Sequence, residues 1–355
     1  MSSLPNLPYE WDIGTAYDFF ISLSVLHNPE KFGLRGSWAA GVRSRLPVPE
    51  REILQRAVDF IRPLGWVYNL PVPKDAQSVL RVLHPYTSVE RLIALHPHVP
   101  AGVREFWLEI AGRKSWDNED LKRMMVMMQE IKLLKTPPST LRKAAGDALN
   151  LWLEADVIGD GLQSALKCYY DSFFAEEETR VRPFLDKSLA RAQEMAASLA
   201  LPELLEELSQ GVRLEKEWGH KAYVLAPSFW GTPLLFFGQI TEDMGIILFG
   251  GRPADVSLIP GDVVPDALHQ ALKALADPTR LRILRYLTEE PRTPAELARL
   301  LRLRAPTVIH HLDALRLARM VVITVEAEGK RYTLRQDAVD SVYAMLRGFL
   351  GGSGN

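Results

Sequence analysis

The sequence has few of the residues that specialised chemistry needs. Its 355 residues include one cysteine, Cys168, so a single chain cannot form an internal disulfide or a cluster of thiolate ligands for zinc or arsenic. No window approaches 18 uncharged apolar residues, and the start of the chain, Met1 to Pro5, lacks the basic and then apolar segments of a secretory signal. We therefore expect a cytoplasmic protein with no membrane partner.

A strong net charge is also absent, but the charge is unevenly distributed. The chain has 42 Lys and Arg against 44 Asp and Glu. Residues 265–355 contain 14 Lys and Arg against 10 Asp and Glu, so the rest of the chain is acidic. A basic C-terminal part on an acidic body is typical of a DNA-binding module attached to a larger protein.

Motifs of enzyme chemistry are missing as well. Ser228 does not lie in a nucleophile elbow, because the glycines two residues to either side are absent. No cofactor loop or paired-acid motif is present, so we expect neither enzymatic activity nor a cofactor. The two histidines of His96-Pro97-His98 have no evident third partner for a metal. Met124–Met128 could line an adaptable ligand pocket, but methionines at helical spacing are more often core residues.

The patterns that are present predict a mainly α protein with small β elements. Apolar residues recur at three-and-four spacing from Tyr17 to Gly211, and Ala175–Leu208 is predicted to form one long helix broken at Pro202. Further helix starts are predicted at Ser37-Trp38, Pro49-Glu50, Ser88, Asp117-Asn118 and Ser139. Three short aromatic and β-branched runs then predict strands of a small sheet, at Lys221–Pro227, Pro233–Phe237 and Met244–Phe249.

These patterns divide the chain into four parts. Residues 1–211 are predicted to form an α-helical sensor or interaction domain, on which a small β-rich segment, residues 212–262, packs. Turn residues lead into a linker near Asp262. Residues 263–350 are predicted to form a winged helix-turn-helix for DNA binding and dimerisation, and residues 351–355 a disordered Gly-rich tail.

The prediction of a helix-turn-helix depends on two strong helix starts. Asp277-Pro278 combines an Asp N-cap with Pro at the first helical position, and Thr293–Glu296 forms a capping box. We expect Leu281 to join Ile283, Leu284 and Leu287 in the buried stripe of the first helix. A tight turn, Arg302–Arg304, leads into a further helix, Ala305–Arg319, whose N-terminal half carries candidate base contacts: Thr307, His310 and His311. Adjacent histidines on one helix cannot chelate one metal together, so we expect one in the groove and the other packed.

A β-hairpin follows this helix. Met320–Val325 and Arg331–Leu334 flank the turn Glu326–Lys330, in which Gly329 can adopt a positive φ. The tip of the hairpin is predicted to carry Lys330 and Arg331, and a basic hairpin beside a recognition helix is suited to phosphates or the minor groove.

These C-terminal motifs resemble those of the ArsR-type winged-helix repressors. The resemblance is carried by Leu275–Leu284, Pro294–Ala298 and Pro306–Leu315, which occur in the family's order and spacing over roughly 80 residues. It implies a homodimer that binds operator DNA and is controlled by an effector. It also implies that the residues matching Thr307, His310 and His311 face the major groove.

Two departures limit what the resemblance implies. The turn contains Arg302-Leu303-Arg304 where the family usually has a Gly and a Ser, so we expect a weaker helix cap, and Arg304 is free to reach a phosphate. The paired cysteines of metal-sensing members would lie around Arg292–Ala295, and none is present. The predicted regulator therefore needs no metal. Its alternative is a protein-interaction scaffold in which the winged helix binds protein.

Overall fold

The computed structural model describes residues 7–61, 63–96, 100–131, 138–214, 220–326 and 329–351. The chain is mainly helical with two small sheets, which confirms the predicted fold class. The helices are α1 Thr15–His27, α2 Gly36–Arg43, α3 Val48–Ala57, α4 Leu64–Tyr68, α5 Ala76–Leu83, α6 Ser88–Ala94, α7 Ala101–Arg113, α8 Asn118–Ile131, α9 Pro138–Leu153, α10 Ala155–Tyr169, α11 Ala175–Ala196, α12 Leu201–Ser209, α13 Asp266–Leu275, α14 Pro278–Leu287, α15 Pro294–Leu301, α16 Ala305–Leu317 and α17 Ala338–Leu350. The strands are β1 Tyr9–Trp11, β2 Val212–Leu214, β3 Ala222–Ser228, β4 Phe236–Gln239, β5 Met244–Gly250, β6 Val321–Glu326 and β7 Gly329–Leu334.

The body of the protein is built around α1. This helix is apolar around nearly its whole circumference, and a helix of that kind is stable only where other elements cover every side. Its one buried carboxylate, Asp18, accepts hydrogen bonds from the Ser228 hydroxyl at 2.6 Å and from the amides of Phe229 and Trp230 at 2.9 and 2.8 Å. Asp18 therefore joins the first helix to the end of β3.

The larger sheet has the order β1-β3-β5-β4. Strands β1, β3 and β5 are parallel and β4 is antiparallel to β5. The residues of β3 and β5 are almost all buried, which explains why their sequences are continuously apolar rather than alternating. The predicted three-strand sheet lacked β1, because three residues are too few to show a period.

The prediction for Ala175–Leu208 placed the helix break too late. The chain leaves the helix after Ala196, and Pro202 lies in the first turn of α12, where its missing amide hydrogen is harmless. Pro183 instead lies inside α11. The methionines of α8 lie in or against the core, with Met124 buried. His98, Pro97 and residues 352–355 of the predicted tail lie outside the described residues.

The C-terminal helices and strands form a winged helix-turn-helix with its own core. Buried side chains from α14, α15 and α16 meet under the hairpin β6–β7, with Ile283, Leu297, Val308 and Leu312 at the centre. The expectation that Leu281 belongs to this core was wrong, because its side chain is 47% exposed. Because a helix turns by about 100° per residue, Leu281 lies roughly 110° away from the centre of the stripe formed by Ile283, Leu284 and Leu287, outside the buried face.

The body and the winged helix contact each other closely. The buried Arg252 of the body pairs with Asp266, the first residue of α13, at 2.6 Å, and the side chain of Gln270 in α13 donates a hydrogen bond to the carbonyl oxygen of Gly33 at 2.6 Å. Strand β2 does not join the larger sheet. It pairs in parallel with β6, Val212 opposite Ile323, so the smaller sheet has the order β2-β6-β7 and contains one strand of the body.

Candidate nucleic-acid interface

Local capping sets the orientation of the helix-turn-helix. The side chain of Asp277 accepts a hydrogen bond from the amide of Arg280 at 3.0 Å at the start of α14. Thr293 and Glu296 form the predicted capping box at the start of α15, with both reciprocal hydrogen bonds present. These contacts satisfy amides that a helix start leaves without partners.

The turn between α15 and α16 is strained where the family favours glycine. Arg302 has φ +56°, in the left-handed region. This conformation ends α15 and lets the amide of Leu303 donate a hydrogen bond to the carbonyl oxygen of Ala298 at 3.0 Å. Arg304 is the N-cap of α16, and its side chain makes no capping hydrogen bond. The weaker cap expected from the sequence is therefore present, and the exposed Arg304 side chain remains available to a ligand.

The N-terminal half of α16 presents an exposed face. Thr307, Ile309 and His310 are exposed, whereas Val308 and Leu312 are buried and hold the helix on its domain. Ile309 was missed from the sequence, where an apolar residue inside a helix suggests core. Its exposed fraction is 43%, and an apolar side chain in the major groove can contact a thymine methyl group.

The second histidine has a different environment. The imidazole Nδ1 of His311 lies 4.0 Å from a carboxylate oxygen of Asp277, and 14% of its side chain is exposed. Burial lowers the pKa of His311, the Asp277 carboxylate opposes that shift, and Arg280 adds to it. His311 thus packs between α16 and α14, while His310 faces outward. The base contact of His311 stays a prediction, and it would need the side chain to turn.

The wing residues lie in a strand rather than at the hairpin tip. Lys330 pairs with Val325 and Arg331 with Thr324 in the β6–β7 ladder, so both residues belong to β7. Arg331 forms ion pairs with Glu326 at 3.3 Å and Glu296 at 3.8 Å. Burial and then the neighbouring Arg316 lower the pKa of Lys330. Their contact with phosphates stays a prediction.

Other arginines of this domain are better exposed. Within residues 277–317, all of which the structure describes, five exposed arginines have no carboxylate partner within ion-pair distance: Arg282, Arg285, Arg299, Arg302 and Arg304. Sequence reasoning selected only Arg304 from this set. The others could have been found from their helical spacing outside the apolar stripes of α14 and α15.

The described residues form neither a cluster of metal ligands nor a membrane-spanning helix. Among the residues that the structure describes, no group of three His, Cys, Asp or Glu side chains is arranged to hold a metal ion. None of the described helices combines the length and the apolar character needed to span a bilayer.

Comparison with known proteins identifies the C-terminal part. Residues 277–322 match the family described as bacterial regulatory protein, arsR family, and the match covers α14, α15, α16 and the first residues of β6. Neither the curated proteins nor the solved structures contain a significant match to the chain. The matched family and the winged-helix geometry agree, so the C-terminal part of this chain is an ArsR-family helix-turn-helix domain of the kind found in DNA-binding transcription regulators.

Proposed function

We propose that the protein is a sequence-specific transcriptional repressor that binds duplex DNA as a homodimer in the cytoplasm. The observation that carries this proposal is the exposed face of α16 on an ArsR-family domain. Thr307 and His310 are exposed on the half of the helix that a helix-turn-helix places in the major groove. Arg304 and the exposed arginines of α14 and α15 supply cations to phosphates flanking the groove.

Dimerisation is supported by apolar side chains on the two helices that flank the winged helix. On α17 the exposed fractions are 57% for Val339, 61% for Tyr343 and 40% for Phe349, and on α13 Leu272 is 41% exposed. Helices α13 and α17 pack against each other, so these side chains belong to neighbouring surfaces. A second copy of the same surface would cover them, and a two-fold dimer would place two recognition helices about 34 Å apart.

Effector control is the third part of the proposal. The body contributes a strand to the wing sheet and a buried arginine to the start of α13. A ligand or protein that alters the body therefore has physical routes to the DNA-binding domain. Coupling of this kind changes affinity by typically 1–3 kcal/mol.

The decisive experiment is selection of bound duplexes from a random pool, followed by titration of the selected duplex and a shuffled duplex. Thr307→Ala and His310→Ala should each weaken the selected duplex by about 1–3 kcal/mol and change the shuffled duplex little. The matched control is Thr179→Ala, an exposed threonine of α11. Failure to enrich any sequence would contradict the proposal.

One observation favours a protein-binding alternative. Leu300, Leu303 and Ile309 are 40%, 37% and 43% exposed and lie around the turn that would face DNA. If no duplex binds above background, these side chains make the same surface a site for a protein partner.

A further inference from the structure

A cavity of about 760 Å³ lies between the body and the winged helix. Its walls come from α11 and α12, from the loop after β5, and from the residues that end α16 and form α17. Small-molecule sites in proteins commonly have volumes of roughly 300–1,000 Å³. The cavity is separate from the exposed face of α16, so DNA binding does not account for it.

The cavity is lined by more cations than carboxylates. Its charged residues are Lys187, Arg191, Arg252, Arg319 and Arg335 against Glu207 and Asp255. Two of these cations are neutralised nearby: Arg252 by Asp266 at 2.6 Å and Arg335 by Asp337 at 2.7 Å. Lys187, Arg191 and Arg319 have no carboxylate within ion-pair distance in the part of the chain that the structure describes.

Arg319 has the least favourable environment of the three. It lies two residues after the end of α16, has φ +57° and is partly buried. Burial, and then the charges of Arg252 and Arg335, lower its pKa to about 10. A guanidinium withdrawn from water beside other cations costs free energy, and an anion placed among them would recover part of that cost.

Apolar side chains complete the lining. Phe184 and Met195 of α11, Leu208 of α12 and Val342 and Met345 of α17 contribute to the cavity walls. A bare inorganic ion would leave this surface uncovered. The combination instead fits a molecule with an anionic head and an apolar remainder.

We propose that this cavity binds an organic anion, a carboxylate or phosphate carried on an apolar chain or ring, and that its occupancy alters DNA affinity. The second half of this statement rests on the proposed function. Arg319 connects the cavity to the end of α16. Gln210 also lines it and leads through Gly211 into β2, which pairs with the wing. Residues that would contact a ligand there are therefore only a few residues along the chain from α16 and from the strand that pairs with the wing.

Binding is tested without DNA, on the full-length protein. The probe is the fluorescent sulfonate 1-anilinonaphthalene-8-sulfonate, displaced by octanoate, octyl phosphate or octyltrimethylammonium. We expect one displaceable site per chain, displacement by the two anions and none by the cation. The tighter of the two anions identifies the head group.

Charge variants locate the site. Lys187→Gln combined with Arg191→Gln removes two exposed cations of α11 and should weaken anion binding tenfold or more, since hydrogen bonds to charged groups are the stronger ones. Arg182→Gln is the matched control, because Arg182 is an exposed residue of the same helix that does not line the cavity. Arg319→Gln is a third variant, with its fold checked by circular dichroism. Absent binding, or equal binding by the double variant and the control, would overturn the proposal.

The coupling is tested separately. Octyl phosphate or octanoate should change the affinity of the wild type and of Arg182→Gln for the selected duplex by about 5- to 150-fold, and the double variant should not respond. Anion binding without any effect on DNA affinity would overturn the coupling and leave the binding site. If no duplex binds either with or without anion, the proposed function fails and the anion-binding result is unaffected.

Discussion

The amide nitrogen of Ile323, in the wing, lies 2.8 Å from the carbonyl oxygen of Gly211, in the body, and donates a hydrogen bond to it. This bond begins the parallel pairing of β2 with β6. The wing hairpin is therefore held on one edge by the body and on the other by the bridge between Tyr332 and Arg292. Its position depends on a segment more than 100 residues earlier in the chain.

Gly211 should not tolerate a side chain. It has φ +122°, and a Cβ atom there would lie 3.2 Å from the carbonyl oxygen of Val321. Gly211→Ala should lower the free energy of unfolding by about 1–3 kcal/mol and accelerate hydrogen exchange at the Ile323 amide. Gly146→Ala is the control. It lies in the interior of α9 with open space around it and should stabilise by about 0.5–1 kcal/mol. Equal exchange rates at Ile323 in the two variants would contradict the pairing.

Arg304→Ser should increase the stability of the fold and weaken DNA binding. Serine at this N-cap can accept the hydrogen bond that arginine does not, and should raise the unfolding free energy by about 1 kcal/mol. Loss of the cation should weaken binding to all duplexes and reduce the slope of log affinity against log salt by about one. Calorimetry and salt titrations measure both effects. A weakening confined to the selected duplex would show that Arg304 contacts a base instead.

Val339→Glu should convert the proposed dimer into a monomer. Val339 is 57% exposed on α17, and a carboxylate there would have to be buried against the partner at a cost of several kcal/mol. Light scattering at micromolar concentration measures the mass. Val157→Glu is the control, because Val157 is 61% exposed on α10 of the body. A wild type that is already a monomer would contradict the dimer.

The pKa of His311 should lie below that of a free histidine, and removing the charge of Asp277 should lower it further. Burial lowers the pKa of His311 and the Asp277 carboxylate partly restores it. Asp277→Asn keeps an N-cap acceptor but removes the charge, so the pKa of His311 should fall further. Nuclear magnetic resonance titration of the imidazole measures it. The reference is His27 of α1, whose pKa is lowered by burial and should not respond.

Asp18 should make the folded state less stable as the pH rises. Burial, opposed by the hydrogen bonds from Ser228, Phe229 and Trp230, raises the pKa of Asp18 from 3.8 to about 6. The folded state then binds this proton more tightly than the unfolded state. The contribution is fully present below about pH 4 and is lost as the pH rises through about 6, a change of about 3 kcal/mol.

Asp18→Asn removes that titration. The unfolding free energy of the wild type minus that of the variant should therefore fall between pH 4 and pH 7, as measured by denaturant titration. Asp147→Asn, at an exposed position of α9, is the control and should leave the pH dependence close to that of the wild type. A difference that rises with pH would mean that Asp18 is stabilised as a carboxylate.

Local features of the chain could be predicted from the sequence. The N-cap Asp277 and the capping box Thr293–Glu296 form hydrogen bonds between residues three positions apart. The residues that define each motif in the sequence are therefore the ones that form its hydrogen bonds. The winged helix could be recognised from the sequence because its helices, turn and hairpin follow one another directly along the chain. The departure of the turn from the family's Gly and Ser predicted a weaker helix cap, and Arg304 makes no side-chain capping hydrogen bond.

The remaining features depend on residues distant in sequence. β1 and β2 are three residues long, and they are strands only because β3 and β6 offer an edge to pair with. The sequence does not show which of the adjacent His310 and His311 is packed. In the structure α14 places Asp277 beside His311. The cavity also belongs to no single segment, since its cations are contributed by α11 and by the residues that follow β5, α16 and β7. Sequence alone therefore determined which elements form in the C-terminal part. Only the packing of the body against them decided which side chains stay exposed and where an anion could bind, because burial and charge proximity are set by contacts across the whole chain.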